Sequence, residues 1–333
     1  MLGKPKIGMY WASSCGGCEI ALVNIHERLL DIDANFDLAF CPCLMDVKKK
    51  DVEALPDKDV AITFFNGAIR NGENEEMAHL LRRKSGLLVA FGSCASWGSI
   101  PALANLQTAA AILKTAYVET PSTGNPSAVM PRRAFEAPEG TLRIPSFHEK
   151  VKTLSQVTEV DYFIPGCPPE SPRIWDVIDH VVQGKPLPPK GSVLGAGSRA
   201  VCSECERKKE DKRIKRFHRT HEISPDREKC LLEQGIVCMG IATREGCGAL
   251  CPKVNMPCMG CYGPPEGVPD QGAGMIAALG SVLDLGEGKL TEEDLLTKNV
   301  DEILASLPDP TGTFYKFSLA GSILKGKSKI TKE

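Results

Sequence analysis

The residues that invite chemistry in this chain are its cysteines. Fourteen stand among 333 residues, more than packing needs, and their placement asks for an explanation. Cys15 and Cys18 form Cys-Gly-Gly-Cys, Cys94 stands alone in Phe-Gly-Ser-Cys, and Cys167 lies in Pro-Gly-Cys-Pro-Pro. Further on, Cys202, Cys205, Cys230 and Cys238 read C-x2-C, a gap of 24 residues, then C-x7-C. Cys247, Cys251, Cys258 and Cys261 follow at once as C-x3-C-x6-C-x2-C in a Gly/Pro-rich stretch. Four thiolates on glycine-rich loops suit a [4Fe–4S] cluster, because bare backbone approaches the inorganic sulfides and donates N–H bonds to them. A structural zinc also takes four thiolates, though usually from two short knuckles, whereas Cys94 and Cys167 are single residues on distant loops. Three thiolate sets in one chain suggest a conducting row, since one structural metal is enough for folding.

The first half must position the first four cysteines. It alternates short apolar runs with helical patterns, the signature of a doubly wound parallel sheet in an α/β fold. Strands are expected at Lys6–Trp11, Phe36–Phe40, Val60–Phe65, Gly86–Phe91 and Asp161–Ile164. Helices are expected at Cys18–Leu30, Glu73–Lys84 and Pro172–Val182, the last with Ile174, Val177, Ile178 and Val181 on one face. In such a sheet ligands sit outside the carboxyl ends of the strands, where Cys15, Cys18, Cys94 and Cys167 all fall. Five prolines interrupt 106–157, which reads as a long insertion before the last strand. The organisation expected is therefore a sheet domain over 1–185 and a linker over 186–200. An irregular cluster domain over 201–270 follows, needing metal for its order, then a helical tail over 271–333 with helices at Gly272–Leu285 and Thr291–Ser306 and a frayed Lys-rich end.

Several function classes are excluded. The formal net charge is -2, which argues against nucleic-acid binding by bulk electrostatics. No apolar run is long enough to span a bilayer, and no export signal is visible. The chain is expected in the cytoplasm, where reduced thiols are available as metal ligands. No G-x-G-x-x-G follows a strand, so no dinucleotide site is expected. The sharpest rival takes Cys202, Cys205, Cys230 and Cys238 as a zinc ribbon, with the run Arg207, Lys208, Lys209, Lys212, Arg213, Lys215 and Arg216 meeting nucleic acid.

Cys-Gly-Gly-Cys-Glu after the first strand, the lone Cys94, Gly-Cys-Pro-Pro at 166–169 and the eight-cysteine run resemble the small subunit of nickel-iron hydrogenases over nearly the whole chain. The resemblance implies a flavodoxin-like domain whose Cys15, Cys18, Cys94 and Cys167 bind a proximal cluster. It further implies Cys247, Cys251, Cys258 and Cys261 as medial ligands and Cys202, Cys205, Cys230 and Cys238 as distal ones. Membrane-bound and periplasmic relatives usually have histidine at the place of Cys202, and many have proline at that of Cys251, so three [4Fe–4S] clusters are expected here. This points to the cytoplasmic hydrogenases, most closely the gamma subunit of the F420-non-reducing, methyl-viologen-reducing type. The implied partners are a large subunit carrying the nickel-iron site, a [2Fe–2S] delta subunit and heterodisulfide reductase. The cluster subunit of respiratory complex I is a weaker comparison, since it has adjacent cysteines where this chain has two intervening glycines. An electron-carrying subunit of another oxidoreductase is the alternative.

Glu19, following Cys18, is the candidate for a proton or hydrogen-bond path at the large-subunit interface; its plainer reading is an acidic residue answering a helix dipole. Asn66-Gly67 ends the third strand in the same crevice, either donating to the proximal cluster or making a turn. Cys41 and Cys43 match no ligand position and are read as buried spectator thiols. His218 and His221 have a metal-like spacing but sit among solvated charges. The basic run suits either docking of an acidic electron-transfer partner or a solvated surface helix with Glu206, Glu210 and Asp211 interspersed.

Overall fold

The computed structural model describes residues 3–211, 213–284 and 300–324. Two compact units form: one runs to Leu194 and regains the chain from Leu319, and the other is Gly195–Ser318.

The first unit is built on a five-stranded sheet. Its strands are β1 (Lys6–Trp11), β2 (Asp37–Phe40), β3 (Val60–Asn66), β5 (Ser85–Phe91) and β9 (Tyr162–Ile164). They lie in the order β2-β1-β3-β5-β9, all of them parallel. Parallel strands covered on both faces read as continuous apolar runs, which is why these were visible in the sequence. On one face Ile7, Met9, Ile62, Phe64, Val89 and Phe91 pack against Ile174, Val177 and Ile178 of α7 (Ser171–Val182). On the other, Tyr10, Phe65, Leu88 and Ala90 meet Met77, Ala78, Leu80 and Leu81 of α4 (Gly72–Lys84). The strand order is the flavodoxin-like one.

Three departures from expectation have local causes. The helix expected over Cys18–Leu30 breaks into α1 (Gly17–Val23), a 3-10 turn at His26–Arg28 and α2 (Leu29–Asn35). His26 adopts φ 58°, which an α-helix cannot pass through. Cys94 belongs not to a bare loop but to the first turn of a short helix, α5 (Gly92–Trp97). The insertion is structured: α6 (Ala109–Lys114), a hairpin of β6 (Ala134–Ala137) and β7 (Gly140–Arg143), and β8 (Phe147–Lys152), which runs antiparallel to β4 (Ile69–Asn71). One more helix of this unit, α3 (Lys49–Ala54), buries Val52.

The second unit has short turns and few helices, α8 (Leu250–Lys253), α9 (Gln271–Gly280) and α10 (Pro310–Phe314) among them. It carries more core than its Gly/Pro-rich sequence suggests: Ile214, Phe217, Leu231, Ile236, Met239, Tyr262 and Met275 are buried. Residues 300–305 are helical. The first part of the helix expected over Thr291–Ser306, the Lys-rich end and Lys212 lie outside the described residues.

Candidate metal centres

Register sets the first centre. Trp11 pairs with Asn66, Asn66 with Phe91 and Phe91 with Ile164, so four strands end on one line and their following turns open into one crevice. After β1 the chain is tied to β3's end, Ser13 N donating to Ala68 O at 3.2 Å and Ala68 N to Ser13 O at 3.0 Å. Gly16 then turns at φ 79° to start α1, leaving Cys15 exposed and Cys18 buried. Gly92, at φ 81°, opens α5, and a Cβ there would overlap the Cys18 sulfur. The Cys167 turn is tied to the Cys94 turn by Ser93 N donating to Gly166 O at 2.8 Å. Gly166 N in turn donates to Ser93 Oγ at 3.2 Å. The Cys167–Pro168 peptide is cis.

These four thiols feel one another. Burial raises the Cys18 thiol well above its usual range, and nearby Cys94, Glu19, Cys167 and Cys15 raise it further. Cys94 is pushed up to about 12, by burial first and then by Cys167, and burial raises Cys167 as well. Thiols this crowded do not ionise together unaided; a bound positively charged metal core would let them do so, since metal ligation requires the thiolate. The four-thiol donor set suits a cubane, and the missing side chain at Gly92 is what lets the Cys18 sulfur lie against its backbone. Glu19 lies in the first turn of α1 and is buried. It accepts from Asn66 Nδ2 at 2.7 Å on each carboxylate oxygen. The Asn66 amide expected to donate into the crevice is thus engaged with Glu19, and with Ser14 Oγ at 2.9 Å.

Cys41 is buried within the apolar layer beside α7, as expected of a spectator. Cys43 is exposed, which corrects its reading as a buried thiol.

In the second unit a cavity is lined by Cys202, Cys205, Cys230 and Cys238 together with Val201, Leu231, Gly240 and Pro252. Burial raises Cys238 to about 11 and Cys258 well above the usual thiol range. The two halves of the eight-cysteine run touch: Cys258 N donates to Cys238 Sγ at 3.3 Å. Glu204, inside the first C-x2-C, accepts from Gly246 N at 2.9 Å and Gly248 N at 3.1 Å, bracketing Cys247. Cys251 sits on α8 and is exposed, Cys258 is buried, and Cys247 and Cys261 are half-buried. Among the described residues no three His, Cys, Asp or Glu side chains close around a single point as ligands of one ion do. In a four-iron cubane each iron takes its own thiolate, so the ligands stand around a body instead.

The basic run is not a helix; its described residues are irregular chain with isolated bridges. Arg207 works inward, donating to Pro252 O at 2.9 Å, Asn255 Oδ1 at 2.6 Å and Lys229 O at 3.0 Å. His218 Nδ1 faces Glu222 at 3.8 Å, and His221 is exposed. Spacing alone missed Glu204 and the inward role of Arg207; an acid between the two cysteines of a C-x2-C was the one available signal. No helix among the described residues is long and apolar enough to cross a membrane.

The family model described as NADH ubiquinone oxidoreductase, 20 Kd subunit, matches residues 15–181. The chain is 38% identical over 328 residues to the iron-sulfur subunit of the F420-non-reducing hydrogenase of Archaeoglobus profundus, covering 97% of this chain and 98% of that one. It is 36% identical over 332 residues to a subunit of the F420-non-reducing hydrogenase of Methanothermobacter marburgensis, covering 99% of each. With a subunit of the F420-non-reducing hydrogenase of Methanocaldococcus jannaschii it shares 34% over 326 residues, 97% of this chain and 98% of the relative.

Proposed function

Because this chain belongs to the family of F420-non-reducing hydrogenase iron-sulfur subunits, small subunits of nickel-iron hydrogenases, we propose that it relays electrons from hydrogen oxidation through three [4Fe–4S] clusters. It is the electron-transfer subunit of a hydrogenase and an oxidoreductase by that role. The catalytic nickel-iron site belongs to the partner large subunit. In this reading Cys15, Cys18, Cys94 and Cys167 hold the proximal cluster in the sheet domain. Cys247, Cys251, Cys258 and Cys261 hold the medial one, and Cys202, Cys205, Cys230 and Cys238 the distal one. Bound clusters would supply one-electron carriers of low potential, all-thiolate ligation keeping them reducing.

The chain's own residues do the rest. Gly92 and Gly166 bring backbone close to the proximal ligands, and Asn66, which also donates to Ser14 Oγ, holds the buried Glu19 side chain beside Cys18. Glu19 then lines a proton or hydrogen-bond path toward the large subunit. The observation that carries the relay reading is the Cys258 N–H to Cys238 Sγ contact at 3.3 Å, which joins the medial and distal ligand sets directly. Electrons leave through the distal set to a [2Fe–2S] delta subunit and onward to heterodisulfide reductase, in the cytoplasm and without nucleic acid or membrane as partner.

The test is metal content with low-temperature EPR on the complex purified anaerobically through a tag on this chain. About twelve irons per chain, four for each cubane, with co-purifying nickel is the expected result. Zinc without iron overturns the reading, and iron without nickel keeps the relay but removes the hydrogenase.

A further inference from the structure

Ser99 is the most strained residue beside the proximal thiols. It sits at φ 47°, ψ -148°, a region that L side chains avoid and glycine tolerates. It is fully buried, and its hydroxyl has no hydrogen-bond partner among the described residues. A buried orphan hydroxyl is costly, so strain and an unmet donor coincide at one residue.

The surroundings hold it there. Gly98, at φ 90°, ends α5, and a Cβ on it would collide with Ala320 Cβ and Ala102 Cβ. Ser99 O accepts from Ala102 N at 3.0 Å, and Gly98 N donates to Cys94 O at 3.0 Å. The side chain lies beside Cys94 and Cys167. Its hydroxyl lies against both sulfurs and opposes the effect of burial on each thiol, without meeting either squarely enough for a hydrogen bond. An unpaired donor aimed between two thiols suits acceptors that carry more charge than a neutral thiol, as ligating thiolates do.

We propose that Ser99 is a positioning residue of the proximal centre, its hydroxyl donating to the thiolates of Cys94 and Cys167 and so raising the reduction potential of the cluster they hold. The inference rests on the cluster reading above. A donor to ligand sulfur favours the more negative, reduced cluster, so losing the donor lowers the potential.

The experiment is a dye-mediated redox titration of the anaerobic complex, followed by EPR, for wild type, Ser99→Ala and Ser99→Gly. Alanine removes the hydroxyl and keeps the strain; glycine removes both. The expected result is that both variants keep their iron and shift the proximal midpoint negative by a similar amount, with the other midpoints unmoved. One hydrogen bond to a charged group corresponds to roughly a tenfold change in the reduction equilibrium, about 59 mV for one electron. An unmoved proximal midpoint in both variants overturns the proposal, and so does loss of iron from both, since a tuning hydroxyl is not needed for assembly. If only the alanine variant loses iron, the glycine midpoint decides. Wild type without iron would instead sink the cluster reading itself, whatever the variants do.

Discussion

Asn66 Nδ2 stands 2.7 Å from both carboxylate oxygens of Glu19, which binds the end of the third strand to the residue after Cys18. A buried carboxylate needs such a donor. Replacing Asn66 by alanine leaves Glu19 buried without it and should cost about 2 kcal/mol of stability, read as a lower midpoint in anaerobic urea titration. An unchanged midpoint would mean that Glu19 finds another donor.

Glu19→Gln keeps the size and loses the charge. Iron content should stay at the wild-type level while hydrogen-dependent viologen reduction falls by about tenfold or more, the scale of a lost proton-transfer group. Full activity would return Glu19 to a plain structural partner of Asn66.

Gly92→Ala should strip the proximal centre selectively. The new Cβ would overlap the Cys18 sulfur, and φ 81° disfavours any side chain there. About four of about twelve irons should be lost, one cubane's worth, and a full complement would show that α5 shifts to make room.

The order of the relay is tested by comparing ligand variants. Cys94→Ser should abolish hydrogen-dependent dye reduction, whereas Cys202→Ser should mainly slow it, because dyes can accept from the inner centres. Wild-type rates in both variants would sink the order proposed.

Acid stability should centre on Asp161. Its carboxylate is fully buried, where burial alone would raise its pKa. Lys190 and Arg82, with the Leu88 N–H, outweigh that and hold it below the ordinary value; Lys190 Nζ lies at 2.6 Å and Leu88 N at 2.8 Å. A carboxylate with a depressed folded-state pKa contributes stability that is present above its unfolded value of about 3.9 and is lost as pH falls through the lower folded value. Asp161→Asn should therefore cost about 3 kcal/mol at neutral pH, as loss of one partner of a buried pair does. The gap between variant and wild type should close only below about pH 4.

What could be read in the sequence follows from what each feature depends on. The strands β3 and β5 were legible to within a residue because burial on both faces leaves unbroken apolar runs. Cys15, Cys94 and Cys167 could be placed just past strand ends because the apolar runs before them were legible. The break at His26 was not legible, since nothing about histidine announces φ 58°. The hairpin of β6 and β7 escaped because four-residue strands give too short a pattern. Ser99 escaped because its interest lies in a backbone twist. The Cys258–Cys238 contact joins residues that no spacing argument pairs.

The chain leaves the sheet unit at Leu194 and regains it at Leu319, where Ala320 lies against Gly98 and its carbonyl accepts from Gln156 Nε2 at 2.7 Å. The segment bracing the turn after Cys94 is therefore translated only after the whole second unit has been synthesised. The first four cysteines are made early, yet their support arrives late. A nascent chain stalled before Leu319 would present the first four thiols with the turn after Cys94 not yet braced.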